Sequence, residues 1–377
     1  MTELDFGPNG FGSDINDSGQ VVGGSAYFVG GATGFVRIAL SRSGTAPAVG
    51  FGSGHAFAVN NAGQIVGTGR SIAIPENGAV IWSGPWKDLV GNFGSGIGIW
   101  ALRQTAWLPV HGADPRTIVS GDFDGNGLDD LAVDFYPYDG LWLWMNHANW
   151  VKLHSANPTQ MAVGDLDNDG RDDLILSFPG FGIWEWKNNI AWHSLHGNEA
   201  LHLAVGDIDG GGTDDLIVDF AAYGMWSRRN DTTWEQLHSS NVTALTTVDL
   251  DNNGQVDIVA SFAGHGLWVY RNQTNWTFLH PYAATVLAAG RLDGGTQADL
   301  VIDFGVGIGV WVLHNSSAWT QLHSLHSQGL VVADFNGDGR DEIIIGFGAA
   351  GLWKNSNNAW TFLHPNPVRA LVASRIH

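Results

Sequence analysis

The feature that most constrains this fold is an acidic segment that repeats. Residues 164–174 read GDLDNDGRDDL, with oxygen side chains at Asp165, Asp167, Asp169 and Asp173 and Gly170 at the turn. The spacing returns as Asp122, Asp124, Asn126 and Asp130, as Asp249, Asp251, Asn253 and Asp257, and as Asp334, Asn336, Asp338 and Glu342. A weaker copy keeps Asp207, Asp209 and Asp215 but has Gly211 at the third ligand position. A broken copy opens with Arg291 and keeps only Asp293 and Asp299. The first positions (122, 165, 207, 249, 291 and 334) are 42 or 43 residues apart. A fixed period of this size means a solenoid, a propeller or an array.

Carboxylates crowded into nine residues repel one another unless a cation lies between them. Calcium collects six to eight oxygens at about 2.3–2.6 Å. A single copy reads equally well as a polar hairpin, because Asp, Asn and Gly favour turns; recurrence in register favours a cation. The loops are not EF-hands. Position 12 falls on Val133 or Leu176 inside apolar runs, and the last acid stands at position 9.

Each repeat then reads as four short strands. One enters the loop, one leaves it (Asp173-Leu-Ile-Leu-Ser-Phe178), one is Gly-aliphatic-Trp, and one is Trp-x-x-Leu-His. The third-strand Trp recurs at 100, 142, 184, 226, 268, 311 and 353, and the fourth-strand Trp at 107, 150, 192, 234, 276, 319 and 360. His111, His154, His196, His238, His280, His323 and His364 follow the latter. Phe93, Phe135, Phe178, Phe220, Phe262, Phe304 and Phe347 recur as well. Seven units of four strands predict an all-β, seven-bladed β-propeller. Residues 370–376 align with the loop-entering strand 286–292, and the first repeat, 87–111, lacks that strand. The C-terminal strand is therefore expected to pair into the first blade and close the ring, leaving no open sheet edge.

Aromatic residues that recur in every copy suit packing between blades better than a ligand ring. The histidines are spread one per blade, so each is expected to bond a neighbouring backbone group and not to converge on a transition metal. Asp134, Asp219 and Asp303 precede the recurring Phe but alternate with Ser177, Ser261, Gly346 and Asn92, which is no acid–base pair. No nucleophile elbow or phosphate loop is present.

The net charge of −20 argues against nucleic acid and against anionic membrane surfaces. Cysteine is absent, which removes disulfides and thiol chemistry. No apolar span is long enough for membrane insertion. The start, MTELDFGPNGFG, shows no signal peptide.

Residues 1–78 have a different texture. Residues 14–23 and 58–67 match each other at a spacing of 44, and each reads as strand, Asn/Gly turn, strand. They resemble the extracellular HAF repeats, with His55-Ala-Phe57 carrying the triplet, and imply an N-terminal β-rich extension over 1–78 before a propeller over 79–377.

From about residue 80 to 377 the chain resembles the FG-GAP/VCBS repeats of the integrin α-type propeller. The acidic loops, the D-[LI]-x-x-x-F strands and the G-[LI]-W strands carry the resemblance. It implies structural calcium (Ca2+) in several loops, held by positions 1, 3, 5 and 9 and by the backbone carbonyl of position 7. The ligand sets it implies are Asp122, Asp124, Asn126, Leu128 and Asp130; Asp165, Asp167, Asp169, Arg171 and Asp173; Asp249, Asp251, Asn253, Gln255 and Asp257; and Asp334, Asn336, Asp338, Arg340 and Glu342. Asp207, Asp209 and Asp215 form a weak set, and the Arg291 loop is expected to be empty. The expected function is a non-enzymatic, lectin-like or cell-adhesion propeller at an extracellular or cell-surface site, with a glycan or an extracellular protein as partner. Two alternatives stand beside it. One is a glycan hydrolase or lyase with a central-channel site, for which Glu185, Arg228, Arg229 and His265 are off-pattern residues. The other is a scaffold of eight to nine blades including residues 1–78.

Overall fold

The computed structural model describes residues 87–376, Gln104 excepted, together with the backbone of six strands between Gly10 and Trp82. Those six form two antiparallel three-stranded sheets, Gly10–Ile15, Val21–Tyr27 and Phe35–Ser41, then Ser53–Val59, Ile65–Arg70 and Gly78–Trp82. Each has a register irregularity in its first strand pair, at Gly12/Asp14 and at Ala56/Ala58, so the 44-residue repeat is visible in the backbone. The turns that carry the HAF resemblance lie outside the described residues.

From Asp88 onward the chain builds seven four-stranded antiparallel sheets. In the second blade the order is Thr117–Gly121, Asp130–Asp134, Leu141–Met145 and Asn149–His154. The first strand of each blade lies against the first strands of its two neighbours, all the way around to Ala370–Ser374 and back to Thr117–Gly121. Ala370–Ser374 pairs with Asp88–Asn92, with Val372 opposite Val90, so the last strand completes the first blade. The ring closes at seven, and a single ring of eight or nine blades does not hold.

The strand sequences follow from their place in the blade. Every residue of all seven second strands is buried, because each of these strands has a blade on both faces. Runs such as Asp173–Phe178 are apolar without alternation for that reason. The fourth strands form the outer edge and expose the two residues at their centre, as at His193-Ser194. Between third and fourth strands every blade carries the same bulge, as between Ile183/Trp184. The glycine before each third strand is obligatory. Gly182 has φ 79°, and a Cβ there would lie 2.2 Å from the carbonyl oxygen of His196.

Blades are joined by a repeated aromatic triad. The Phe and fourth-strand Trp of one blade meet the His of the preceding one, as in Phe135, Trp150 and His111, with centroids 4.7–5.6 Å apart. The ring seam is built the same way, from Phe93, Trp107 and His364, at 4.1–5.3 Å. The Nδ1 of each of the seven His accepts the backbone N–H two residues on, at 3.0–3.2 Å, as expected. The seven third-strand Trp each donate Nε1–H to the carbonyl three residues back.

Phe93 is 5% exposed and Phe220, its counterpart within the ring, also 5%. Truncating a buried Phe to Ala costs about 3–5 kcal/mol. Phe93→Ala and Phe220→Ala are therefore expected to lower unfolding free energy equally in urea titrations. A much smaller loss at Phe93 would mean that the seam is looser than the other junctions.

Candidate functional site

The acidic loops connect first and second strands, so they cluster on one face of the ring. Their local fold is fixed by the carboxylates themselves. The Asp122 side chain accepts the backbone N–H of Asn126 through Oδ1 (3.0 Å) and that of Gly127 through Oδ2 (2.7 Å). Asp165 accepts those of Asp169 and Gly170 (3.1 and 2.8 Å), and Asp249 those of Asn253 and Gly254 (3.1 and 2.8 Å). Position 5 then accepts the N–H of position 7: Leu128 on Asn126, Arg171 on Asp169 and Gln255 on Asn253. In the last loop, Asp338 N–H bonds Asn336 Oδ1 (2.8 Å), Phe335 N–H bonds Glu342 Oε2 (2.9 Å), and Arg340 donates to Asn357 Oδ1 (3.0 Å).

Two loops bring three carboxylates together. Asp165, Asp167 and Asp173 offer oxygens within 4.8 Å of one another, and so do Asp207, Asp209 and Asp215. The second set is the one expected to be weak. Gly211 removes one ligand, yet its N–H still bonds Asp207 and Asp209, and the loop keeps its shape. Among the described residues the Asp122 and Asp249 loops form no such tight set of three carboxylates; both have Asn at position 5, whose amide donates to the Asn of the outer turn (Asn146, Asn272).

That outer-turn Asn is not evident from the sequence. Asn146, Asn188, Asn230, Asn272 and Asn315 each sit at positive φ between third and fourth strands. Each donates its side-chain amide to the position-3 Asp of its own blade, at 2.7–3.3 Å. Four of them also donate the backbone N–H to the position-9 acid: Asn146 to Asp130, Asn188 to Asp173, Asn230 to Asp215 and Asn315 to Asp299. The signal that could have found it is an Asn recurring 15 or 16 residues after the last loop acid.

The acid doublets hold a second device that sequence reasoning missed. Position 8 does not face its own loop. Asp172 accepts the N–H of Asp122 in the preceding blade (2.8 Å) while its own N–H bonds the Asp122 carbonyl (3.0 Å). Asp214 does the same to Asp165, Asp341 to Arg291, and Asp129 to Arg375 at the seam. Asp134, Asp219 and Asp303 are latches on the opposite face. They bond the segment leading to the next blade through Asn157, Val242 and Ser327.

The position-9 acids lie deepest: Asp130, Asp173, Asp215, Asp257, Asp299 and Glu342 are all buried. Burial, with help from the neighbouring loop carboxylates, pushes Asp130, Asp215 and Asp257 up to about 6. Burial and the adjacent Glu185 push Asp173 up as well. One oxygen of Asp130 (Oδ2) and one of Asp257 (Oδ1) are buried without a hydrogen-bond partner. Orphaned buried oxygens on acids that resist ionisation fit a hard cation such as calcium, which takes oxygen donors.

Residues 157–191, which contain the Asp165 loop, match the FG-GAP repeat family. No curated protein sequence matches the chain. Among solved structures, an Agrocybe aegerita lectin described for specific recognition of non-reducing terminal N-acetylglucosamine has a TM-score of 0.59 and 16% identity, over 83% of this chain and 99% of the lectin. BBS1N, solved in complex with ARL6DN, has a TM-score of 0.51 and 15% identity, over 72% of this chain and 90% of that one. Both likenesses are likenesses of fold.

Proposed function

We propose that this FG-GAP-type propeller is a non-enzymatic, calcium-stabilised extracellular binding module, and that its ligand is a glycan. The observation that carries the reading is an arc of exposed aromatic rings on the face opposite the acidic loops. The turn between second and third strands places Tyr138 (94% exposed) in the second blade, Phe181 (69%) in the third and Tyr223 (59%) in the fourth. Exposed rings in equivalent turns of consecutive blades support an interaction site on that face. Each ring has polar company suited to hydroxyl groups. Lys152 bonds Asp139 beside Tyr138 (3.3 Å), Glu199 accepts Gly180 N–H beside Phe181 (2.7 Å), and Gln236 bonds the Tyr223 carbonyl (3.0 Å). The lectin of like fold supports a glycan over other ligands by analogy.

The enzyme alternative draws little support. The seven first strands carry one ionisable side chain, His202, and it pairs with Asp219 at 3.3 Å. Of the off-pattern residues, Glu185 is buried, Arg228 pairs with Asp231 and Arg229 with Glu235. Among the described residues no helix is long and apolar enough to cross a membrane.

The test is a glycan array probed with the calcium-loaded protein, including glycans ending in N-acetylglucosamine. A stacking ring contributes about 0.5–1.5 kcal/mol, so Tyr138→Ala, Phe181→Ala and Tyr223→Ala should each weaken binding roughly three- to tenfold without changing Tm. Binding that survives all three substitutions would remove the arc as the site. A blank array with capture of an extracellular protein would replace the glycan by a protein surface.

A further inference from the structure

The residue immediately before the outer turn, followed by Asn except at Arg103-Gln104 of the first blade, takes different forms in different blades, and its partners sort the loops. In the first blade, which has no acidic loop, and in the Arg291 blade, whose loop lacks the first ligand, it is basic and lies beside the buried acid that opens the second strand. Arg103 Nε is 3.5 Å from Asp88 Oδ2, and His314 Nδ1 is 3.6 Å from Asp299 Oδ1. In the Asp165 loop the residue is Lys187, whose ammonium lies 3.2 Å from Asp167, 3.5 Å from Glu185 and 3.4 Å from Asp231. In the Asp249 loop it is Arg271, 3.8 Å from Asp257. In the Asp207 loop Arg229 turns away to Glu235 and Gln273. In the Asp122 loop it is Met145, which packs in the apolar core and brings no charge to the buried Asp130.

We propose that this position is a tethered-cation site that sets how strongly each blade depends on calcium. Arg103 takes the metal's place in a blade that has no loop. Lys187 and Arg271 compete with the metal for Asp167 and Asp257. The Met145 blade has no internal substitute and relies on the ion. Such side chains are positioning residues for the metal loops. A fixed positive charge within 4 Å of a ligand carboxylate opposes a second cation there by ordinary Coulomb repulsion. It also stabilises the loop when the metal is absent, since buried acids need a partner. The inference rests on the calcium reading above.

Three variants of the full chain test it: Lys187→Met, Arg271→Met and Arg103→Met. Each is titrated with calcium by calorimetry after metal removal, and melted in EDTA and in excess calcium. Calcium affinity is tuned over decades by site charge, so Lys187→Met and Arg271→Met should each tighten one site by about tenfold. Both should lower Tm in EDTA and leave it unchanged or higher in calcium. Arg103→Met should lower Tm by the same amount in both buffers and leave the isotherm alone. Wild-type isotherms for Lys187→Met and Arg271→Met, with equal Tm losses in both buffers, would overturn the proposal while leaving the calcium sites standing. A flat isotherm for the unaltered protein would instead remove the calcium reading, and this inference with it.

Discussion

Chelating divalent cations is expected to lower the Tm of this protein by on the order of 10 °C, and excess calcium is expected to restore it. A ligand that binds only the folded state stabilises by RT ln(1 + [L]/Kd), about 2.7 kcal/mol per site at a hundredfold excess over Kd. Four complete loops acting together would supply about four times that amount. A domain of 150–250 residues shifts by about 2–4 °C per kcal/mol, and a larger ring somewhat less. The ring concentrates the effect, because the position-1 backbone of one loop is clamped by the position-8 acid of the next blade, as Asp122 is by Asp172. Loss of order in one loop thus reaches the next junction. The double variant Asp165→Ala with Asp167→Ala should melt earlier in calcium and show a smaller EDTA shift, and calorimetry should count one site fewer. An EDTA shift that the double variant leaves intact would exclude that loop as a metal centre.

Much of this architecture is legible because the sequence repeats. Blade number, the four-strand unit and closure by residues 370–376 can be read from period and alignment alone. A motif that recurs in register tells where a residue sits in its blade. It does not tell which blade the residue serves. The Trp-x-x-Leu-His motif looks local, yet His154 packs on Phe178 and Trp192 of the following blade. The doublet Asp172-Asp173 looks like one acidic patch, yet Asp173 turns into its own loop while Asp172 reaches to the neighbouring one. Neighbouring residues on an extended segment point to opposite sides, so one doublet serves two junctions. The outer-turn Asn is hidden for another reason. Asn and Gly populate any turn, so Asn188 taken alone carries no signal, and only its recurrence at a fixed distance from the loop acid points to the bond its amide makes to Asp167. The exposed rings of Tyr138, Phe181 and Tyr223 occupy turns that vary from blade to blade, and recurrence passes over what does not recur.

The buried acids also predict a reversal in how stability depends on pH. Without metal, burial raises nine carboxyls among the described residues, those of Asp130, Asp134, Asp172, Asp173, Glu185, Asp214, Asp215, Asp257 and Asp341. Four move down, those of Asp114, Asp129, Asp167 and Asp293. The raised groups therefore set the slope. A carboxyl that titrates near 6 in the folded chain and near 4 when unfolded holds more protons folded between those values. Its contribution is complete below about pH 4 and is lost as pH rises to about 6. Moving a carboxyl's titration by one pH unit changes its contribution by about 1.4 kcal/mol, so Asp130, Asp215 and Asp257 each give up on the order of 3 kcal/mol across that window. Calcium inverts the sign. A carboxylate bound to the ion titrates lower in the folded state, so its stabilisation is present at neutral pH and is lost on acidification. Melting in EDTA should therefore show Tm falling from pH 4.5 to 6.5, and melting in excess calcium should show it rising over the same range. Asp130→Asn should flatten the EDTA curve, because a neutral amide in the same buried position carries no proton to lose. Parallel curves in the two buffers would mean that the buried acids find their counter-charge within the protein and that no cation enters these loops.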